Sequence, residues 1–195
     1  MRSQRTQLIV EIALTAALAA VLSMFAVKLP INFAGGTISL SMVPIFVLAL
    51  RRGAIAGVLA GVLFGMADML IEPFFIMPQQ VFLDYIVAFA AVGLAGLGSA
   101  AYNKALDRSQ WLALLVAVPF MVLGGAGRFA AAWTSGVLFF GANAPAGQPV
   151  WLYSIVYNLS YIVPSLVVSV TAALLVLPVL ERAVPVRDAS AVTAG

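Results

Sequence analysis

The stretch Arg51-Arg52-Gly53-Ala54-Ile55-Ala56-Gly57-Val58-Leu59-Ala60-Gly61-Val62-Leu63-Phe64-Gly65-Met66-Ala67-Asp68-Met69-Leu70-Ile71 decides the fold. A basic pair is followed by an apolar run whose one ionisable residue, Asp68, lies near its far end. The run is close to the ~20 residues that a bilayer-spanning helix needs. Arginines at the head of such a run mark the cytoplasmic boundary. Gly57, Gly61 and Gly65 recur at every fourth position, on one helical face, where a neighbouring helix can approach closely.

The same reading extends outward in both directions. Further apolar runs fall at about 8–28, 37–50, 80–101, 110–141 and 150–181. The chain of 195 residues is 64% hydrophobic and 9% charged, with a mean hydropathy of +1.11. A soluble domain carries roughly a quarter charged residues, so too few remain here to cover a water-facing surface. The sequence predicts an all-α integral membrane protein with six transmembrane helices. Residues 1–184 form one transmembrane domain, and 185–195, polar and rich in small residues, a disordered cytoplasmic tail.

Arg2 and Arg5, Arg51 and Arg52, Lys104 and Arg108, and Arg182 and Arg187 alternate with loops in which only Lys28 is basic. This places both termini in the cytoplasm. Splitting the fifth run into two helices would export Arg182 and Arg187, against that rule. The second run is short, so it is either little tilted or entered partway from an irregular loop around residues 32–36. The fifth and sixth are long, with Pro119, the glycines of 124–127 and Pro164 as expected break points. The first run, although it follows a basic N-terminus, is long enough to span and reads as a retained helix rather than a signal peptide.

Several chemistries are excluded. With no cysteine and no histidine, disulfides, thiol catalysis and imidazole metal ligation are absent. No G-x-x-x-x-G-K-[ST] is present, so the chain holds no P-loop. The basic balance belongs to membrane orientation and not to nucleic acid. An intramembrane aspartyl protease is disfavoured, because Gly65-Met66-Ala67-Asp68 lacks a G-x-G-D pattern.

Charged side chains in a bilayer cost ~2.5 kcal/mol or more and so point to function. Asp68, Asp84 and Arg128 are of this kind, with Glu72 at the outer boundary. Asp84 lies about one turn inside, with Gln80 four residues earlier on the same face. Pairing of Asp84 with Arg128 as structural glue is the plain alternative. For Asp68 and Glu72 the structural or boundary role is the expectation. In the sixth run Tyr153, Ser154, Tyr157, Asn158 and Tyr161 fall within a sector of about 140°, a polar stripe that lipid would not reward. Trp151 reads as an interfacial anchor. Ala13 and Ala17 form one of two small-xxx-small pairs in the first run, suited to packing inside or to a partner helix.

Taken in order, these residues resemble the thiamine-specific substrate-binding (S) components of energy-coupling-factor transporters. The resemblance runs from Glu11 to Pro164. It is carried by Gly35-Gly36-Thr37-Ile38-Ser39-Leu40-Ser41-Met42-Val43-Pro44, Leu48-Ala49-Leu50-Arg51-Arg52-Gly53, Glu72-Pro73, Leu83-Asp84-Tyr85, Gly93-Leu94-Ala95-Gly96, Ser135-Gly136-Val137-Leu138-Phe139-Phe140-Gly141 and Trp151-Leu152-Tyr153-Ser154 with Tyr157-Asn158.

The resemblance implies a ligand pocket near the outer face of a prokaryotic plasma-membrane protein. Its implied partners are a T component and two ATPases; ATP is consumed by those partners, so the chain is not an enzyme and has no cofactor of its own. It assigns Asp84 as the pocket's acid, Tyr85, Tyr153 and Asn158 as ligand contacts, and Phe64 and Phe74 as aromatic pocket positions. Gln80, beside Asp84, and Trp133 join that set, and Ala13 and Ala17 fall where the family docks its T component. Two departures stand out: Ala132 occupies a position where the family commonly has His, and Gly35 replaces an aromatic loop contact. The chemistry suits a flat organic cation. A desolvated carboxylate supplies the counter-charge, aromatic faces add ~0.5–2 kcal/mol each, and Asn158 can meet an aminopyrimidine edge. A thiamine precursor or another small heterocycle is the alternative ligand; a non-transporting scaffold or intramembrane enzyme is the alternative class.

Overall fold

At Gly53 the chain reverses direction with φ 93°, a left-handed conformation that glycine adopts without strain. It separates α2 (Met42–Arg52) from α3 (Ala54–Ile71) and continues the boundary set by the two arginines. The computed structural model describes residues 2–28, 36–74 and 77–184. In these, α1 spans Arg2–Ser23, α4 Pro78–Leu106, α5 Gln110–Phe139 and α6 Val150–Ala183. The last two begin after Ser109 and Pro149, both in extended conformation, and α4 opens on Pro78 at its first turn. Residues 32–35 and the 185–195 tail lie outside the described residues.

Five of the six helices are long and apolar enough to cross a membrane. The exception is α2, of 11 residues, or ~16 Å. Every residue from Met42 to Leu50 is buried, so α2 is apolar all round because protein surrounds it. The missing length is made up by extended chain. Thr37–Ile38 (β2) pairs antiparallel with Val27–Lys28 (β1), and the stretch that follows is pinned by serines of α6. Ser165 Oγ donates to the Thr37 carbonyl (3.2 Å) and accepts from Ser39 N (3.3 Å), while Ser169 Oγ donates to the Ser39 carbonyl (3.3 Å). Irregular backbone at this depth is tolerable only when its polar groups are met in this way.

The opposite end of the bundle is tied by ions. Arg51 bonds Glu181 at 3.0 Å and also reaches the Val184 carbonyl. Arg52 grips Glu11 with two bonds of 2.7 and 2.6 Å. These join the end of α2 to α1 and α6.

Irregularity falls in a different helix from the one expected. α5 is continuous through Pro119 and the 124–127 glycines, and α6 through Pro164 and Pro178. The glycines of α5 serve packing: a Cβ on Gly124 would lie 2.6 Å from the Val92 carbonyl, and one on Gly125 2.6 Å from the Leu166 side chain. It is α4 that departs from α geometry, as a π segment at Phe82–Val87 and a 3₁₀ segment at Gly93–Gly98. There α3 presses against it. A side chain at Gly61 would strike the Phe89 carbonyl, and one at Gly65 the Tyr85 carbonyl.

Candidate functional site

At the end of the bundle away from Arg51 and Arg52, the helices part around a cavity of about 600 Å³, within the range of small-molecule sites. Asp68 and Glu72 come from the end of α3, and Asp84, Tyr85, Ala88 and Phe89 from α4. Arg128, Ala132, Gly136 and Phe140 come from one stripe of α5. Lys28, Gly36 and Thr37 of the β1–β2 hairpin also contribute. The polar stripe of α6 faces inward: Tyr153, Ser154, Tyr157, Asn158 and Tyr161 all line the cavity. Its tyrosine rings meet in sequence, Tyr153 stacked on Tyr157 with centroids 6.0 Å apart and Tyr161 edge-on to Tyr157 at 5.7 Å. Near the mouth Phe74 lies parallel to Phe140 at 6.0 Å, and Lys28 pairs with Glu72 at 3.2 Å.

The π segment carries Asp84 and Tyr85. Asp84 accepts a 2.8 Å bond from Gln80 Nε2, which also donates to the Phe74 carbonyl at 3.1 Å. Gln80 is 1% exposed and is not among the lining residues; it holds the carboxylate from behind. Ser135 Oγ lies close to the same carboxylate without a partner inside hydrogen-bond distance. The Tyr85 hydroxyl donates to the Glu72 carbonyl (2.8 Å) and accepts from Phe74 N (2.9 Å). It is thus engaged by the loop after α3, and the cavity meets the ring.

Asn158 is more occupied than the sequence implied. Its Nδ2 donates to the Ser154 carbonyl (2.8 Å) and Oγ (3.2 Å) and toward the Ala132 carbonyl (3.4 Å). Its Oδ1 accepts from the Tyr161 hydroxyl at 2.7 Å. The amide hydrogens are taken up by the preceding turn of α6 and, more weakly, by α5, which leaves one acceptor lone pair for a ligand.

Two aromatic residues expected at the site stand behind it. Phe64 is wholly buried and meets the edge of Phe89, centroids 4.5 Å apart; it backs the wall and does not form it. Trp133 is turned about 100° from Ala132, donates its indole N–H to the Trp151 carbonyl at 3.2 Å, and is not among the lining residues. Asp84 and Arg128 form no ion pair among the described residues. The Arg128 guanidinium lies instead over the Phe89 ring, 4.6 Å from its centroid. Asp68 and Glu72, read from sequence as boundary residues, both line the cavity. Sequence reasoning passed over Tyr157 and Tyr161 as site residues, although their place in the polar stripe was the signal. On α1, Ala16 and Ala19 pack inward, whereas Ala13 and Ala17 are exposed beside Leu14 and Leu18.

The thiamine transporter protein family (Thia_YuaJ) has a sequence model that matches residues 9–184. The chain belongs to this family. The thiamine transporter ThiT of Bacillus subtilis (strain 168) is 37% identical over 169 residues, 86% of this chain and 88% of that protein. ThiT of Lacticaseibacillus paracasei is 35% identical over 122 residues, 60% of this chain and 61% of that one. Among solved structures, ThiT from Listeria monocytogenes superposes with a TM-score of 0.83 at 31% identity, covering 92% of this chain and 97% of that one. Membership of the thiamine transporter family, together with the five long apolar helices, makes this a multi-pass protein of a prokaryotic plasma membrane.

Proposed function

We propose that this chain binds thiamine in the cavity and delivers it as the S component of an energy-coupling-factor transporter. The observation that carries the reading is the charge of the lining. Lys28 and Glu72 cancel at the mouth, and Arg128 offsets one of the two deeper carboxylates, Asp68 and Asp84. One negative charge is left among aromatic faces, which suits a flat monocation. Asp84 supplies the counter-charge, Tyr85, Phe74 and Tyr153 the ring faces, and Asn158 an acceptor; Gln80 holds Asp84, Phe64 backs the wall, and Trp133 steadies the start of α6. The six-helix topology with both termini cytoplasmic fits basic residues clustered at the Arg51–Arg52 end. Energy enters through a T component docked on Ala13 and Ala17, with ATP hydrolysed by two partner ATPases.

The deciding experiment is calorimetric titration of the purified chain with thiamine, together with mass spectrometry of whatever small molecule co-purifies. Stoichiometric thiamine binding supports the reading. A precursor or another heterocycle bound in its place would reassign the ligand, to which Ala132, small at a position where a larger side chain could close the wall, lends some support. No binding of any heterocycle would overturn it. Co-purification of a membrane partner and two ATPases, against their absence, tests the assembly.

A further inference from the structure

The basic residues at the Arg51–Arg52 end of the bundle fall into two groups. Arg51 and Arg52 are spent on Glu181 and Glu11. Lys104, Arg108 and Arg182 are exposed and enter no ion pair among the described residues. The fold gathers these three. The Tyr102 hydroxyl lies 3.4 Å from Glu181, which seats the last turns of α4 beside the end of α6. Arg182 donates to Gln110 Oε1 at 3.2 Å, which seats α6 beside the first turn of α5. Arg108 lies in the short link between α4 and α5, whose turn closes on the Ala105 carbonyl. Asp107, exposed in the same link, offsets one of the three charges and leaves the patch positive.

An apolar surface continues from this patch toward the middle of the bundle. Trp111, in the first turn of α5, is 79% exposed, and Leu115 is exposed one turn further on the same face. On α6, Val179 is exposed on the face that carries Arg182 three residues later. Both helices are long and apolar enough to cross a membrane, and a tryptophan at the end of such a helix belongs at the headgroup level. A soluble anion would engage the cations and leave the apolar faces unmatched. A molecule with an anionic head and hydrocarbon chains matches both. We propose that the α4–α5 link and the end of α6 form a docking site for an anionic phospholipid, its phosphate held by Lys104, Arg108 and Arg182 and its chains lying along Trp111, Leu115 and Val179. A zwitterionic lipid brings its own cation to the patch and is held less well. The inference is independent of what fills the cavity, which opens at the other end of the bundle.

The test is quenching of tryptophan fluorescence in the purified chain, reconstituted into phosphatidylcholine bilayers, by brominated phosphatidylglycerol or brominated phosphatidylcholine. Trp133 and Trp151 lie together at the cavity end, and subtraction of the Trp111→Phe signal isolates Trp111. Phosphatidylglycerol is expected to occupy the site at least about threefold more strongly than phosphatidylcholine. The preference should fall toward unity when Lys104→Gln, Arg108→Gln and Arg182→Gln are combined, and should shrink in high salt. Where the triple variant fails to fold, Lys104→Gln with Arg108→Gln, which keeps the Arg182–Gln110 bond, should show an intermediate preference. Equal quenching of wild type by both lipids, or a preference that survives these substitutions in a folded variant, overturns the proposal. So does a preference abolished by inorganic phosphate but not by chloride at equal ionic strength, which would make the patch a site for a free anion. Loss of partner subunits from the triple variant with its lipid preference intact would assign the patch to a protein and sink the lipid site.

Discussion

Gln80 and Asp84 are joined by a 2.8 Å hydrogen bond from a side chain that is 1% exposed. The same amide nitrogen holds the Phe74 carbonyl at 3.1 Å, so one buried residue sets both the cavity's carboxylate and the loop at its mouth. Asp84→Asn removes the charge and little volume; the expected outcome is a folded protein with more than a tenfold loss of thiamine affinity, above ~1.4 kcal/mol. Gln80→Leu leaves the charge but frees it, with a smaller, severalfold loss. Titration of both decides the matter, and Asp84→Asn binding within twofold of wild type would refute the counter-charge role.

Asn158→Ala should damage the fold as well as the site. It removes the amide bonds to Ser154 on α6 and to the Ala132 carbonyl on α5 and leaves the Tyr161 hydroxyl without its acceptor, at roughly 1–3 kcal/mol. Tyr153→Ala, whose ring stacks on Tyr157, should weaken binding with a smaller fall in melting temperature. Trp151→Ala keeps the backbone carbonyl that Trp133 uses and should leave binding unchanged. Thermal unfolding and calorimetry on all three check this; identical losses throughout would contradict the assignment of faces on α6.

Gly61→Ala is expected to lower stability by about 1–3 kcal/mol, as overpacking does, because its methyl group meets the rigid Phe89 carbonyl. Gly127→Ala is the control, since its Cβ would meet nothing nearer than the Ala91 side chain at 3.0 Å and the end of Leu94 at 3.4 Å. Melting curves in detergent should separate the two by several degrees. Equal melting temperatures would mean that α3 and α4 can slide apart at little cost.

Ala13→Leu combined with Ala17→Leu should abolish thiamine uptake by cells while the purified subunit binds as before. Both positions are exposed, and two leucines would keep a partner helix from close approach. Uptake, binding and partner co-purification are measured on one double variant. Normal uptake removes the docking role, and lost binding would show that this face supports the cavity.

How much was legible in the sequence varied with the kind of signal. Polar residues at helical spacing can be read directly, because lipid does not reward them; the α6 stripe and the buried charges of Asp68, Asp84 and Arg128 were visible for that reason. Aromatic residues were ambiguous, since Phe64 behind the wall and Phe74 on it have the same composition. Asn158 was legible as polar but not as already bonded, which depends on partners that only packing supplies. Glycine spacing in α5 does not distinguish a break from a close contact, and here the glycines are contacts. The distortion of α4 has no proline within it to announce it, and the α3 glycines that pack closely against it lie across the interface. The enclosure of α2 was hidden because an apolar helix looks the same whether its surroundings are lipid or protein.

That enclosure bears on how the chain enters the bilayer. An 11-residue helix preceded by extended chain offers the insertion machinery too short an apolar cylinder to be released into lipid alone. Nor can it shield its upstream backbone before the serines of α6 have been made. α2 is therefore expected to enter as a hairpin with α3 and to be secured last, when α6 arrives. A nascent chain stopped just after Arg52 should leave α2 outside the membrane in a glycosylation-mapping assay, and one stopped after Ile71 should hold both helices. If α2 inserts without α3, its apolar surface suffices and the order of assembly is simply that of synthesis.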